Sequence, residues 1–358
     1  MDVDEADLRP DPAGISAEPA GAPAAETADA DVGGSETGQK PLFKWPRLVL
    51  GMVVGLVVGV GVILIVSPNL THDIQNATLT ATKPWFLVWA LLAVVVLLAA
   101  DASSLLILVR VIQPKAKVIT VTGVALEAHL VGGATSFGGL EIPYQIMVLR
   151  RIGLTYSEAT SCVMVKGLVH TSVLAVVALA ALLPYSGSPI TPLQRWIVMG
   201  VVGILVVGWL VGWIWLRRPL GVRFMPQWLK KRILSFLEAL KVLERSGWEV
   251  YVGVMVTQLI YWVAMFAVIP LILHALGWRG PLTSVIIGQA VLQVLMPLSP
   301  LPGGAGVAEF GYLELIGSET PAEIRVSSLI LWRAATWVIP VALGALALGW
   351  RTTRGRKR

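Results

Sequence analysis

Long uncharged runs of apolar residues alternate with short polar segments along most of this chain. Six of the runs are long enough to cross a hydrocarbon core as α-helix, which takes about 20 residues. They cover about residues 46–66, 85–109, 158–183, 195–216, 249–276 and 323–350. The pattern predicts an all-α polytopic membrane protein.

Two further apolar stretches, at residues 118–149 and 282–316, are each interrupted near the middle by glycine. The interruptions are Gly132, Gly133, Gly138 and Gly139 in the first stretch and the sequence PGGAG at residues 302–306 in the second. Irregular backbone at membrane depth is tolerated only where protein or water covers it. We therefore predict two re-entrant helical hairpins, one entering from each side. A pair of short spans in place of each hairpin stays open as the alternative.

The order of these elements repeats along the chain. Two spans, a hairpin and a third span occupy about residues 45–185, and the same series occupies about residues 195–350. Because each series crosses the membrane three times, the second is inverted relative to the first. The sequence L-x-x-I-G also follows both hairpins and ends at Gly153 and at Gly317. Inverted repeats with broken helices are typical of transporters, whose substrate site lies near the midplane.

The composition agrees with a membrane protein and excludes several other classes. Of 358 residues, 56% are hydrophobic and only 14% are charged, against about 25% charged residues in soluble domains. The single Cys162 and four scattered histidines exclude a disulfide scaffold and predict no metal site. The glycine-rich segments lack the G-x-x-x-x-G-K-[ST] pattern of a nucleotide-binding loop, so we expect no cofactor.

Lysine and arginine accumulate in the loops on one side of the predicted spans. That side carries Lys44, Arg47, Arg110, Lys115, Lys117, Arg150, Arg151, the cations of residues 217–245 and those of residues 351–358. The other side carries only Lys83, Arg195, Arg279 and Arg325. Because basic loops stay in the cytoplasm, we expect a multi-pass protein of the plasma (inner) membrane with both termini cytoplasmic.

The segments outside the spans differ in charge. Residues 1–40 are acidic and rich in Ala, Pro and Gly, a composition that predicts a disordered tail. Residues 41–350 form the predicted membrane domain. Within it, residues 217–245 mix apolar side chains with cations, which predicts an amphipathic segment on the cytoplasmic surface that is drawn to anionic lipids. Residues 351–358 are predicted to form a basic cytoplasmic tail.

Charged side chains inside the apolar segments are the candidates for function, because an ionisable group in a membrane is costly. They are Asp101, Glu127, His129, Glu141, Lys166, Glu309, Glu314 and Arg333. Glu141 and Glu309 follow the two glycine-rich breaks, and Lys166 and Arg333 take corresponding places in the third and sixth spans. One hypothesis places each cation opposite a hairpin acid across a central cavity. The other is that the charges pair within the bundle and hold the hairpins in place.

The first hypothesis describes a site for an anionic or zwitterionic lipid headgroup, in which helix N-termini after the breaks offer N–H groups to a phosphate. The predicted headgroup residues are Gly138, Gly139, Glu141, Arg150, Arg151, Lys166, Pro302, Gly303, Gly304, Gly306, Glu309 and Arg333. We predict no catalytic residue.

Both hairpins carry a resemblance to a known family. Residues 135–139 (TSFGG), followed by residues 149–154 (LRRIGL) and 157–159 (SEA), resemble the first signature of the lysylphosphatidylglycerol synthase transmembrane, flippase-like family. Residues 302–306 with Glu309, Trp332, Arg333 and Pro340 resemble the second. The resemblance covers about residues 45–350. The first signature departs from the family at Leu140 and at residues 143–145, where an arginine is expected, and Lys166 with Gly167 replaces an acidic residue followed by arginine.

The resemblance implies movement of lipids. In the full-length synthases the membrane part is thought to flip aminoacylated phosphatidylglycerol, which a separate soluble domain makes, and stand-alone members are associated with polyisoprenoid-linked sugars. Only eight residues follow Trp350, so we expect a stand-alone member without the aminoacyltransferase domain, and not an enzyme.

Three functions stay open. The first is a translocator of a phospholipid or polyisoprenoid-linked lipid, which would make membrane lipids its partners. The second is a non-catalytic membrane partner of a separate glycosyl- or aminoacyltransferase, and the third is a membrane-embedded transferase. We expect no binding of nucleic acid, since the basic segment lies beside the membrane, which accounts for its charge.

Overall fold

The computed structural model describes residues 83–181 and 247–355, with a few isolated helical positions between residues 53 and 207. The two described ranges belong to one compact unit, Phe43–Arg358. Apart from the isolated positions, the predicted acidic tail at residues 1–40, the spans at 46–66 and 195–216 and the basic segment at 217–245 lie outside the described residues.

Every regular element in the two described ranges is helical, as the sequence predicts. The first range contains α1 (Trp85–Ile112), α2 (Val118–Gly133), α3 (Glu141–Arg151) and α4 (Tyr156–Ala181). The second contains α5 (Trp248–Ala275), α6 (Leu282–Leu295), α7 (Val307–Leu315), α8 (Ala322–Arg333) and α9 (Ile339–Gly355). Short 3₁₀ turns occupy Ser136–Gly138, Met296–Leu298, Pro302–Gly304 and Gly317–Glu319.

Four of the predicted spans are confirmed as helices that are long and apolar enough to cross a membrane. They are α1, α4, α5 and the continuous helix Ala322–Thr353 formed by α8 and α9. Their ends lie within a few residues of the predicted ones, because each apolar run is bounded by a proline, a glycine or a charged residue. The helix runs on to Gly355, through the first residues of the predicted basic tail.

A π-helical turn, Ala334–Val338, joins α8 to α9. Pro340 follows this turn within the helix. Proline has no N–H, so it cannot donate the helical hydrogen bond to the residue four positions before it, and its ring crowds that carbonyl. The wider turn accommodates this proline, and such turns recur at functional sites.

The outer faces of the spans are apolar. On α1, Trp85, Leu91 and Val95 are exposed, whereas Val94 and Leu105 are completely buried against other helices. A helix that is apolar on all sides belongs in a membrane or a large core. The exposed apolar side chains therefore lie where the hydrocarbon of a bilayer would cover them.

The packing of the helices is reciprocal between the two described ranges. The helices α1 and α5, which each precede a hairpin, pack along one another. The last span packs through α9 against α2 of the first hairpin, and α4 packs against α6 of the second hairpin. Each hairpin is thus packed against the span that follows the other hairpin.

The interrupted parts of the two hairpins contact each other. The turn at Ser136–Gly138 touches the turns at Pro302–Gly304 and Met296–Leu298. Gly303 and Gly304 adopt left-handed backbone angles, with φ of 65° and 71°, which glycine tolerates and most other residues avoid. Phe137 and Gly138 do the same in the first interruption, with φ of 55° and 60°, on a turn whose residues are exposed. Whether each hairpin is re-entrant or a pair of short spans stays a prediction.

Candidate functional site

The glycine-rich break of the second hairpin, at residues 302–306, is stabilised by hydrogen bonds within and next to it. Ser299 Oγ donates to the carbonyl of Ala305 at 2.8 Å and accepts the N–H of Leu301 at 3.2 Å. After the break, Glu309 Oε2 accepts the N–H of Gly306 at 2.7 Å and caps the first turn of α7. The carboxylate suits the positive end of the helix. Glu309 is therefore fixed in position by the start of its own helix.

The second oxygen of Glu309 binds the cation of the last span. Arg333 Nε donates to Glu309 Oε1 at 2.7 Å, and Arg333 Nη2 lies 2.7 Å from the same atom. A third nitrogen, Nη1, donates to the carbonyl of Gly303 at 3.0 Å. The side chains of Arg333 and Glu309 are only 9% and 1% exposed. This contact agrees with the hypothesis that the charges pair, and it ties α8 to both sides of the break.

Trp337, in the π-helical turn, lies between the two hairpins. Its Nε1 donates to the carbonyl of Gly133, at the end of α2, at 3.3 Å. A Cβ added at Gly303 would lie 2.3 Å from the same nitrogen, so the indole occupies the space beside both glycines. The guanidinium carbon of Arg333 lies 5.5 Å from the centre of the Trp337 ring, within the range of a cation–π contact. Trp337 thus joins the two hairpins to the charged pair.

A second charged cluster lies in the first described range. Lys166 Nζ, on α4, lies 2.7 Å and 2.8 Å from the two carboxylate oxygens of Asp101 on α1. His129 Nε2, on α2, lies 3.4 Å from Asp101 Oδ2. Lys166 therefore contacts Asp101, and the contact with Glu141 considered from the sequence is not the one that forms. The reason is that α4 packs directly beside α1, which brings the buried Asp101 to the ammonium.

Hydrogen bonds extend from this cluster across three helices. Ser104 Oγ donates to the carbonyl of Asp101 at 2.7 Å and accepts from Gln258 Nε2 at 2.8 Å. The other end of the Gln258 amide lies 2.8 Å from His170 Nδ1 on α4. Trp262 Nε1 donates to the carbonyl of His170 at 3.1 Å. These bonds fix the contact between α1, α4 and α5 at the level of the charges.

A third group connects the end of the last span to the first hairpin. Arg351 Nη2 lies 2.9 Å from Glu127 Oε2, and the Tyr144 hydroxyl donates to the same carboxylate oxygen at 2.6 Å. Arg351 Nη2 also donates to the Tyr144 hydroxyl at 3.0 Å. Glu127 was a candidate from the sequence, but its partners Tyr144 and Arg351 were not, since nothing in their spacing indicates that α9 meets α2 and α3.

The structure brings some of the predicted headgroup residues together and separates others. Pro302, Gly303, Gly304, Gly306, Glu309 and Arg333 surround the second break, and Gly138 and Gly139 lie on the exposed turn of the first break that contacts it. Glu141 begins α3 at that turn, with Gln145 Nε2 donating to it at 3.3 Å.

Arg150 and Arg151 lie apart from the breaks. They are exposed at the far end of α3, about 15 Å of helix from Glu141. Glu314, on α7, is exposed as well. Among the residues that the structure describes, no group of three or more His, Cys, Asp and Glu could hold a metal.

Trp337 is the central residue that the sequence analysis did not identify. A tryptophan within an apolar run is indistinguishable from a core residue. The available signal was its position four residues after Arg333. In an ordinary helix this spacing puts the two side chains on the same face.

Most of the chain matches the model of a known protein family. The model of a family described as the lysylphosphatidylglycerol synthase TM region matches residues 52–344. The match includes both hairpins, Asp101 with Lys166, and Glu309 with Arg333. A search of curated proteins found no match. With most of its length matched by that model, the chain belongs to the lysylphosphatidylglycerol synthase TM region family.

Proposed function

We propose that this protein is an integral membrane lipid translocator, which moves the headgroup of a phospholipid or of a polyisoprenoid-linked lipid across the bilayer. Family membership and the apolar helices make it a membrane protein. The single observation that carries the proposal is the meeting of the two interrupted hairpins beside the buried pair of Arg333 and Glu309.

Polar backbone groups of both hairpins lie close together where the two interrupted turns meet. Two helices begin there, α3 at Glu141 and α7 at Val307. The N–H groups in the first turn of a helix lack partners within the helix and attract anions. A phosphate at this place would meet backbone donors without having to remain in water.

Arg333 is the cation that we assign to the headgroup. Its charge is balanced by Glu309, which makes it tolerable at low dielectric. Among the described residues, its Nη1 donates to the carbonyl of Gly303, and a phosphate oxygen would form a stronger, charge-assisted bond with that nitrogen. Binding of a headgroup would thus replace the hydrogen bond to the break and leave the pair with Glu309 in place.

The reciprocal packing supports an inverted repeat. If the two halves are related by a two-fold axis in the membrane plane, α1 packs on its counterpart α5, and each hairpin packs on the third span of the other half. These are the contacts that the helices form. Such a pair of halves can exchange roles, so that the central site faces each side of the membrane in turn.

The basic loops support the proposed orientation in the plasma membrane with cytoplasmic termini. Gln113 Nε2, in the loop between α1 and α2, donates to the carbonyl of Ile152 at 3.5 Å. The loop with Lys115 and Lys117 therefore lies beside Arg150 and Arg151, and all four are exposed. Neighbouring basic loops belong on the cytoplasmic face under the positive-inside rule.

The test is lipid movement by the purified protein in liposomes. Fluorescent phosphatidylglycerol and a polyprenyl-phosphate reporter would be placed in both leaflets, and a membrane-impermeant quencher would report the fraction that reaches the outer leaflet. We expect the wild type to move at least one reporter. Arg333→Gln should slow this movement by about tenfold or more, the equivalent of one lost charge-assisted contact.

Arg279→Gln is the matched control, because it removes a cation by the same substitution at an exposed position. Each variant must elute as the wild type does on size exclusion, so that loss of movement is not loss of fold. If the wild type moves neither reporter, the translocator proposal is overturned. Co-purification of a transferase would then favour the function as a membrane partner.

A further inference from the structure

Four charged or titratable side chains from four helices converge in the first described range. Oδ1 of Asp101 on α1 lies 2.7 Å from Nζ of Lys166 on α4, and Oδ2 of Asp101 lies 3.4 Å from Nε2 of His129 on α2. The carboxylate of Glu141, at the start of α3, lies against Gly132 of α2, one helical turn after His129, where an added Cβ would come within 2.7 Å of Glu141 Oε2. The proposed headgroup contact at Arg333 does not use this cluster.

The charges of the cluster do not balance without a proton. Asp101 and Glu141 bring two negative charges, and Lys166 brings one positive charge. If His129 is neutral and both acids are ionised, the cluster keeps one negative charge inside an apolar bundle, which is unfavourable. One proton, bound to either His129 or Glu141, makes the cluster neutral.

The described part of the chain offers no other charge around the cluster that would replace this proton. Of the titratable groups on the helices packed around the cluster, His170 on α4 and Tyr261 on α5 interact with it electrostatically. Nδ1 of His170 is already engaged by Gln258. The cation of α9, Arg351, is bound to Glu127 on another side of α2. Among the described residues, Lys166 is thus the one fixed cation in contact with Asp101.

The geometry shows where a proton would reside. His129 Nε2 is buried and has no hydrogen-bond partner among the described residues, although it faces Asp101 Oδ2. The histidine side chain as a whole is 21% exposed, whereas those of Asp101 and Lys166 are 5% and 8% exposed. Glu141 is also partly exposed and adjoins the exposed turn at Ser136–Gly138. The exposure of the side chains therefore decreases from the turn, through Glu141 and His129, to the buried ion pair.

We propose that Asp101, His129, Glu141 and Lys166 form a proton-binding site inside the bundle. One proton from water is taken up on Nε2 of His129 or on the carboxylate of Glu141, and the two residues share it because their charges interact. No other bond forms or breaks. Resting on the proposed function, the consequence is that binding and release of this proton couple lipid movement to a proton gradient.

The chain of Ser104, Gln258 and His170 positions this site and does not conduct the proton. An amide such as Gln258 neither gains nor loses a proton under these conditions. Among the described residues, the exposed side of the cluster is the one that adjoins the first break. A change of conformation must expose it to the other side, as alternating access requires.

The first experiment measures proton binding directly and needs no lipid movement. Infrared difference spectra of the reconstituted wild type would be recorded between about pH 5 and pH 8, the range in which a histidine titrates. We expect a carboxylic acid band or an imidazole change that Glu141→Gln and His129→Gln each remove or shift. Glu314→Gln, an exposed acid outside the cluster, should leave the spectrum unchanged. A spectrum that neither cluster variant alters would overturn the proton site.

The second experiment tests the coupling in the same liposomes. With a proton gradient of about tenfold across the membrane, movement of one proton per lipid shifts the final ratio of reporter between the leaflets by up to about tenfold. His129→Gln should still move the reporter but reach the same ratio with and without the gradient. If the wild type moves lipid to the same final ratio with and without the gradient, the proposed coupling is overturned but the translocator proposal is supported. If no reporter moves, the translocator fails, and the infrared result alone decides the proton site.

Discussion

Arg333 and Glu309 connect the last span to the second hairpin. Two guanidinium nitrogens lie 2.7 Å from one carboxylate oxygen, Oε1. The other oxygen of Glu309 caps the helix that starts at the break. One carboxylate thus fixes both the start of α7 and the orientation of the arginine.

Removal of one partner of this pair should destabilise the protein strongly. Glu309→Gln leaves the guanidinium without its counter-charge in a buried position, which costs about 3 to 5 kcal/mol of unfolding free energy. We expect Glu309→Gln to lower the midpoint of thermal unfolding in detergent, and Glu309→Gln with Arg333→Gln to recover part of the loss, since no lone charge remains. Glu323→Gln, at an exposed position on α8, is the control. Equal midpoints for Glu309→Gln and the control would show that the pair of Arg333 and Glu309 contributes nothing to the stability of the protein.

The sequence predicted the parts of the fold that depend on local pattern. A run of about 20 apolar residues identifies a span whatever it packs against, so α1, α4, α5 and the last span appear where expected. The breaks were also found, because glycine and proline disrupt a helix locally. Contacts between helices depend on which faces meet, and apolar runs without periodicity do not indicate a face.

The charged contacts also divide into those that the sequence predicted and those that it did not. Glu309 and Arg333 were predicted as candidates to face each other, and they do. One of the two hypotheses placed Lys166 opposite Glu141, whereas Lys166 contacts Asp101. Asp101 lies in the middle of α1 and has no counterpart at the corresponding place in the second half, where α5 is uncharged around Met265. The repeat pattern therefore predicted one pair and not the other.

The packing of α9 on α2 depends on one glycine. A Cβ at Gly344 would lie 2.4 Å from the carbonyl oxygen of Leu126. Gly344→Ala must push the two helices apart, and overpacking of this kind costs about 1 to 3 kcal/mol. On the same helix, a Cβ at Gly349 would meet no atom within 4 Å. Gly349→Ala should therefore leave the stability unchanged or raise it by up to about 1 kcal/mol.

Thermal unfolding of the two alanine variants side by side measures this difference. The comparison holds the type of substitution and the helix constant, so only the contact with α2 differs. If Gly344→Ala and Gly349→Ala unfold at the same temperature, the close approach of α9 to α2 at Leu126 does not exist in the protein.

Arg351 should stabilise the first hairpin although it lies near the end of the chain. Glu127 is 1% exposed, and among the described residues its carboxylate keeps the Tyr144 hydroxyl as its partner if Arg351 is removed. We expect Arg351→Gln to cost about 1 to 3 kcal/mol, the penalty for a buried polar group that loses a charged partner. Glu127→Gln with Arg351→Gln should be more stable than Arg351→Gln alone. Arg279→Gln, an exposed cation elsewhere, controls for loss of positive charge, and an equal effect of both arginine variants would contradict a specific contact.

The arms of the hairpins are short for a membrane, which favours re-entrant hairpins over paired spans. The 11 residues of α3 and the 9 residues of α7 extend about 16 Å and about 14 Å at 1.5 Å per residue. A hydrocarbon core is about 30 Å thick, so neither arm crosses it alone. The two broken turns should therefore lie inside the membrane domain and not at the opposite surface.

Single cysteines test this topology, because the native Cys162 is buried and Cys162→Ala gives a background without thiols. Phe137→Cys would mark the tip of the first hairpin, and Lys115→Cys would mark its flank; both positions are exposed. With a membrane-impermeant maleimide on sealed vesicles of each orientation, we expect both cysteines to react from the same face, the tip more slowly. For the second hairpin, Leu298→Cys and Arg279→Cys should both react from the other face. A tip that reacts only from the face opposite to its flank would establish a pair of short spans and remove the re-entrant hairpin from the mechanism.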